Sequence, residues 1–101
     1  MSVAIQRRET DLVLRIEDAV TVNSAGELKS LLLECLVSGK DLHVNLENAR
    51  EIDVTAMQLL WAAKREADRQ GTAMTISTSQ AVAEAAQELG FERFPGTAIQ
   101  G

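Results

Sequence analysis

Glu51-Ile52-Asp53-Val54-Thr55-Ala56-Met57-Gln58-Leu59-Leu60-Trp61 is the stretch on which the reading of this chain turns. Upstream of it, Leu42, Val44 and Leu46 alternate with polar residues, the period of a half-buried strand. Downstream, Ala56, Leu59, Leu60, Ala63 and Ala67 recur at the spacing of a helix with one buried face. The stretch therefore predicts a strand-to-helix junction carrying an acid, Asp53, and a hydroxyl, Thr55. Two readings of Thr55 are open. Thr55 with Gln58 fits the capping pattern T-x-x-Q, in which a hydroxyl satisfies a free backbone N–H. Asp53 is a second acceptor at the same helix start. Alternatively the Thr55 hydroxyl is modified, because a phosphate at a helix N-terminus is held by unpaired N–H groups and the helix dipole.

Working outward toward the N-terminus, Val3-Ala4-Ile5 and Asp11-Leu12-Val13-Leu14-Arg15-Ile16 read as two strands. The short polar link Arg8-Glu9-Thr10 predicts an antiparallel hairpin, with Leu12, Leu14 and Ile16 on one face. Residues 18–23 read as a loop. Ser24 with Glu27 fits the capping box S-x-x-E, with Asn23 as a rival cap. Ala25, Leu28, Leu32, Cys35 and Leu36 line one face of a first helix, and Leu31 and Leu33 widen it. Gly39 ends that helix.

Asp41 to Glu47 is a third strand, and Asn48 to Glu51 a connection. The second helix runs from Ala56 to Gln70 with Gly71 as its stop. Thr72 to Ser77 is a fourth strand, and Thr78 or Ser79 caps a third helix marked by Val82, Ala85, Ala86 and Leu89 and ended by Gly90. Phe91 to Phe94 is a short extended piece, and Pro95 ends it. Strand–helix–strand order favours parallel pairing by right-handed crossovers. The expectation is one α/β domain over residues 1–95, with a loose tail over 96–101. Its mixed sheet of four to five strands begins with an antiparallel hairpin and carries helices packed on it.

The chain of 101 residues suits one domain with a modest core. A net charge of −5, with no run of Lys and Arg, argues against a nucleic-acid or lipid surface. No apolar run is long enough for membrane insertion, and the first residues lack the pattern of a signal peptide, which reads as cytoplasmic. One Cys and one His cannot build the usual zinc site, so no metal is expected, and no cofactor motif is present. His43 lies on the strand face opposite Leu42, Val44 and Leu46, where a structural or solvent-facing role fits better than catalysis. Cys35 follows the buried stripe of the first helix and reads as a small core residue. Lys64, Arg65, Glu66, Asp68 and Arg69 read as a solvated helix face. The chain is poorly equipped as an enzyme. Met57 and Trp61, four apart on the second helix, read as packing at the core edge or, if exposed, as an apolar anchor for a partner beside Thr55.

Val22-Asn23-Ser24-Ala25-Gly26-Glu27-Leu28, His43-Val44-Asn45-Leu46-Glu47, Ile52-Asp53-Val54-Thr55-Ala56-Met57 and Leu89-Gly90-Phe91-Glu92-Arg93-Phe94-Pro95 together resemble the STAS domain. This domain occurs in bacterial anti-anti-sigma factors and in the cytoplasmic parts of sulfate transporters. The family's signature of Asp, Ser, Ser or Thr, Gly and an aliphatic residue stands here as Asp53, Val54, Thr55, Ala56 and Met57. Val54 replaces the first serine and Ala56 the glycine. The resemblance implies an anti-sigma factor antagonist: a protein-binding module of transcription regulation, phosphorylated at Thr55 by an anti-sigma factor serine/threonine kinase and released from that partner when modified. It places Asn23, Ser24, Asp53, Val54, Ala56, Met57, Gln58 and Trp61 on the partner-binding surface. STAS subunits of lipid-trafficking ABC transporters carry a similar signature and would imply docking on a transporter ATPase. Stand-alone STAS proteins of chemotaxis signalling are similar over Thr55 to Trp61.

Overall fold

The computed structural model describes residues 1–88 and Gly90. In chain order these form β1 (Ser2–Arg7), β2 (Asp11–Val20), a 3-10 turn (Val22–Ser24), α1 (Ala25–Val37), β3 (Asp41–Leu46), β4 (Ala49–Ile52), α2 (Val54–Gln70), β5 (Met74–Thr78) and α3 (Gln80–Glu88). β1 pairs antiparallel with β2, whereas β2–β3, β2–β4 and β3–β5 are parallel. The five strands form one mixed sheet in the order β1-β2-β3-β5, with β4 continuing beside the upper part of β2.

The registers explain the core. Leu12 stands beside Leu42, Leu14 beside Val44, Leu42 beside Met74 and Val44 beside Ile76, so one face of the sheet is apolar row by row. Onto it pack Leu28, Leu32, Cys35 and Leu36 of α1, Ala56, Met57, Leu60, Ala63 and Ala67 of α2, and Val82 and Ala86 of α3, in a single cluster. Each buried leucine contributes roughly 2 kcal/mol. The opposite sheet face carries Arg15, His43, Asn45, Thr75 and Ser77.

Several element boundaries differ from the sequence reading. The loop expected over 18–23 is strand as far as Val20. The irregularity falls at Asp18, which takes φ 68: β2 pairs with β4 from Asp18 beside Ala49 to Ala19 beside Glu51, so Arg50 of β4 is the extra residue. Such a bulge bends a strand without ending it. The connection expected over 48–51 contains β4, whose outer residues Ala49 and Ile52 are buried and whose middle pair, Arg50 and Glu51, is exposed. That pattern has no period of two, so only pairing with β2 reveals it. The capping box at Ser24 does not form. Ser24 closes the 3-10 turn with φ −97 and ψ −3, and its side chain makes no cap bond; Asn23 sits in the same turn and caps nothing either. Leu33 is exposed, so the buried face of α1 is narrower than expected. The last strand begins at Met74 rather than Thr72.

Other signals hold. Gly39 and Gly71 adopt φ 73 and 83 behind the first two helices. Ser79, one of the two expected caps, accepts from Val82 N at 3.2 Å and donates to Ala49 O at 3.0 Å, tying α3 to β4. Leu89, the extended piece at Phe91 to Phe94 and the tail over 96–101 lie outside the described residues.

Candidate functional site

The junction is built by the ends of β2 and β4. Asp53 N donates to Val20 O at 3.0 Å, the last rung between the two strands. The chain then turns into α2 at Val54, two residues earlier than the apolar period suggested. Asp53 is the cap residue, with extended φ −95 and ψ 174, and its Oδ1 accepts from Ala56 N at 3.0 Å. The capping reading of Thr55 is thereby corrected. Thr55 is the second residue inside the helix, where a side chain no longer reaches the N–H three residues on. Thr55 is half-buried, and among the described residues its hydroxyl has no hydrogen-bond partner.

The electrostatics of this helix mouth depend on how its donors are satisfied. A helix leaves its first N–H groups without internal acceptors. Asp53 satisfies that of Ala56, and Met57 N bonds to Asp53 O at 3.1 Å. The N–H groups of Val54 and Thr55 remain at the positive end of a 17-residue helix.

The surface around Thr55 is mixed. Val54 is 42% exposed and Val22 is 61% exposed, two apolar side chains that leave the Val20–Asp53 rung on adjacent segments. Asn23 is exposed and Ser24 half-buried in the 3-10 turn, Gln58 is exposed, and Trp61 is half-buried. Two residues expected on this surface are not there: Ala56 and Met57 point into the core and are fully buried. The reason is the phase of the buried stripe, which runs through Ala56, Met57, Leu60, Ala63 and Ala67 and leaves Leu59 at its partly exposed edge. The apolar anchor imagined from Met57 and Trp61 is thus reduced to Trp61, and the core-packing reading holds for Met57. Val22 was missed by the sequence reading; it stands out as the one apolar residue of Thr21-Val22-Asn23-Ser24 only once β2 is known to reach Val20.

The remaining reactive groups are occupied elsewhere. His43 lies between two hydroxyls, with Nδ1 2.6 Å from Thr75 Oγ1 and Nε2 3.0 Å from Ser77 Oγ. Cys35 is buried, which pushes its thiol pKa up, with the neighbouring Glu34 charge adding to the effect. A thiol so placed is a poor nucleophile. Lys64 bridges Asp68 at 2.7 Å, and Arg69 pairs with Glu66, whose carboxyl it holds below its usual range by hydrogen bonding. Among the described residues no group of His, Cys, Asp and Glu is placed to hold a metal ion. No described helix is long and apolar enough to cross a membrane.

The likeness to known proteins spans nearly the whole chain. A family model described as STAS domain matches residues 2–99. Among solved structures, the chain is similar to RsbS of Moorella thermoacetica at 24% identity, with a TM-score of 0.73, covering 100% of this chain and 89% of that one. It is similar to the Bacillus cell fate determinant SpoIIAA in its phosphorylated form at 13% identity, with a TM-score of 0.72, covering 98% and 93%. The anti-sigma factor antagonist SpoIIAA in its unphosphorylated form matches at 11% identity and a TM-score of 0.74, covering 99% and 90%. A larger structure described as Mglu matches at 14% identity and a TM-score of 0.69 over 78% of this chain, which spans only 20% of that one. At these identities the structural likenesses concern the fold. No curated protein matches the sequence.

Proposed function

The chain belongs to the STAS domain family, and on that premise we propose that it is a phospho-switched protein-binding module of the anti-sigma factor antagonist kind. Thr55 is the phosphoacceptor, and a serine/threonine kinase that also acts as an anti-sigma factor is the partner. The observation that carries this reading is the placement of Thr55. Its hydroxyl stands in the first turn of α2, on a half-buried residue, and is not engaged as the cap, because Asp53 has that task.

The switch is one of charge. Phosphorylation adds nearly two negative charges without disturbing the cap or the core. The phosphate rests against the N–H groups of Val54 and Thr55, so the fold tolerates it. A partner seated on Asn23, Ser24, Asp53, Val54, Gln58 and Trp61 meets a dianion that was absent when it bound, and desolvating that charge opposes docking. Similarity to SpoIIAA, known in both phosphorylated and unphosphorylated forms, supports the reading.

The test is phosphoryl transfer from ATP by the candidate anti-sigma factor kinase, with the site located by mass spectrometry. Label on Thr55, absent in Thr55→Ala, is the expected result. Absence of label, together with Thr55→Asp binding the kinase as tightly as the parent, refutes it. Co-purification with a transporter ATPase independent of ATP would replace the kinase as partner.

A further inference from the structure

Among the described residues, β1 is an open edge of the sheet and pairs with β2 alone. Natural edge strands are commonly blunted by charges, proline, bulges or brevity. Ser2-Val3-Ala4-Ile5-Gln6 has five residues without a charge, a proline or a glycine, in an unbroken register. The ladder to β2 fixes the direction of its backbone groups. Arg8 N donates to Asp11 O at 2.9 Å, which makes Arg8 and Asp11 a hydrogen-bonded pair at the head of the same ladder. Bonded and non-bonded pairs alternate along an antiparallel ladder. Ser2, Ala4 and Gln6 therefore turn their N–H and C=O groups toward β2, while Val3, Ile5 and Arg7 turn theirs outward.

We propose that this edge is a self-association surface, on which a second copy of the chain adds its own β1 antiparallel, about a two-fold axis through Ala4. The observations select this occupant by self-complementarity. Side chains must match faces across the joint, so paired residue numbers sum to an even value and the axis passes through a residue. With the axis at Ala4, Val3 lies opposite Ile5 of the second copy and Ile5 opposite Val3, using the outward N–H and C=O groups of both residues in each copy. Val3 and Ile5 are half-buried and pack against the core rim, facing Ile16 and Leu14. The apolar row Ile16–Val3 thus runs on into Ile5–Leu14 of the other copy without a break. Ala4 meets Ala4 as a non-bonded pair, the position where opposing backbones approach closest, and alanine is small enough to permit it.

An axis perpendicular to the sheet reverses strand direction between copies. The two Thr55 sites then lie at opposite ends of the dimer, both open, and the proposal stands independently of what binds there.

The interface is short and belongs with weak, transient contacts. Sedimentation equilibrium of the full chain should show the mass rising from 11.0 kDa toward twice that value between about 10 µM and 1 mM protein. Hydrogen exchange on the same samples should show the Val3 and Ile5 amides slowing as concentration rises. Ala4→Lys, at an exposed position, places two like charges at the closest pair and should leave a folded monomer throughout. Val3→Pro removes an outward N–H and should do the same, with folding checked by circular dichroism. A parent chain that stays at 11.0 kDa at 1 mM overturns the proposal. So does a dimer whose Val3 and Ile5 amides are not slowed, or one that Ala4→Lys leaves intact.

Discussion

Asp53→Ala should destabilise this protein where Thr55→Ala does not. Both residues are polar acceptors at the start of α2, and the sequence pattern offers either as the cap. The structure gives the bond to Asp53, whose Oδ1 takes the N–H of Ala56 at 3.0 Å. Removing such a cap costs about 1 kcal/mol. Losing the carboxylate's attraction to the positive end of the helix adds about 0.5 kcal/mol at low salt. The sum, about 1.5 kcal/mol, lowers the melting temperature of a domain this size by roughly 6–12 °C. Asp53→Asn keeps an acceptor oxygen and should lose only the charge part, about 0.5 kcal/mol, which added salt then screens. Thr55→Ala removes no bond and places a better helix former on the first turn, so its stability should stay within about 0.5 kcal/mol of the parent. Urea titrations and thermal melts followed by circular dichroism measure all three. If Thr55→Ala carries the loss and Asp53→Ala does not, Thr55 is the cap and its hydroxyl is not free for modification.

Other expectations are as direct. Thr55→Asp should weaken binding of the kinase partner at least tenfold by calorimetry, about 1.4 kcal/mol, while leaving the melting temperature nearly unchanged. Gly71→Ala should cost about 1–2 kcal/mol, because φ is 83 there and open space around the position removes any steric contribution; a neutral result in urea titration would mean the helix end relaxes. Cys35 should react with a thiol reagent at pH 8 only when denaturant is added, since burial both shields the sulfur and raises its pKa. Leu14→Ala, at a fully buried central position, should cost about 3 kcal/mol in the same titration.

The chemistry of the junction was legible because it is local. Asp53 and Thr55 are two residues apart, and the switch from alternation to helical period around them needs no knowledge of the rest of the chain. Yet the division of labour between them depended on one φ/ψ transition. Starting α2 at Val54 instead of Ala56 made Asp53 the cap and left Thr55 without that task, while contact with the sheet set the buried stripe through Met57 rather than Leu59. A period of 3.6 locates a helix face well and its first residue poorly, since the apolar stripe begins only where the core does.

By itself the sequence determined the alternation in β2 and β3, the presence of β5, the buried stripes of the three helices, the glycines that end the first two, and the opening hairpin. Each rests on a repeat between near neighbours, which burial of one face imposes on any such element. Only the tertiary structure decided that β2 continues past Asp18, that Ala49–Ile52 is a strand, and that β1 is an edge among the described residues. Those outcomes are settled by hydrogen-bond partners far away in the chain. A short strand held by a distant ladder need not show any pattern of its own.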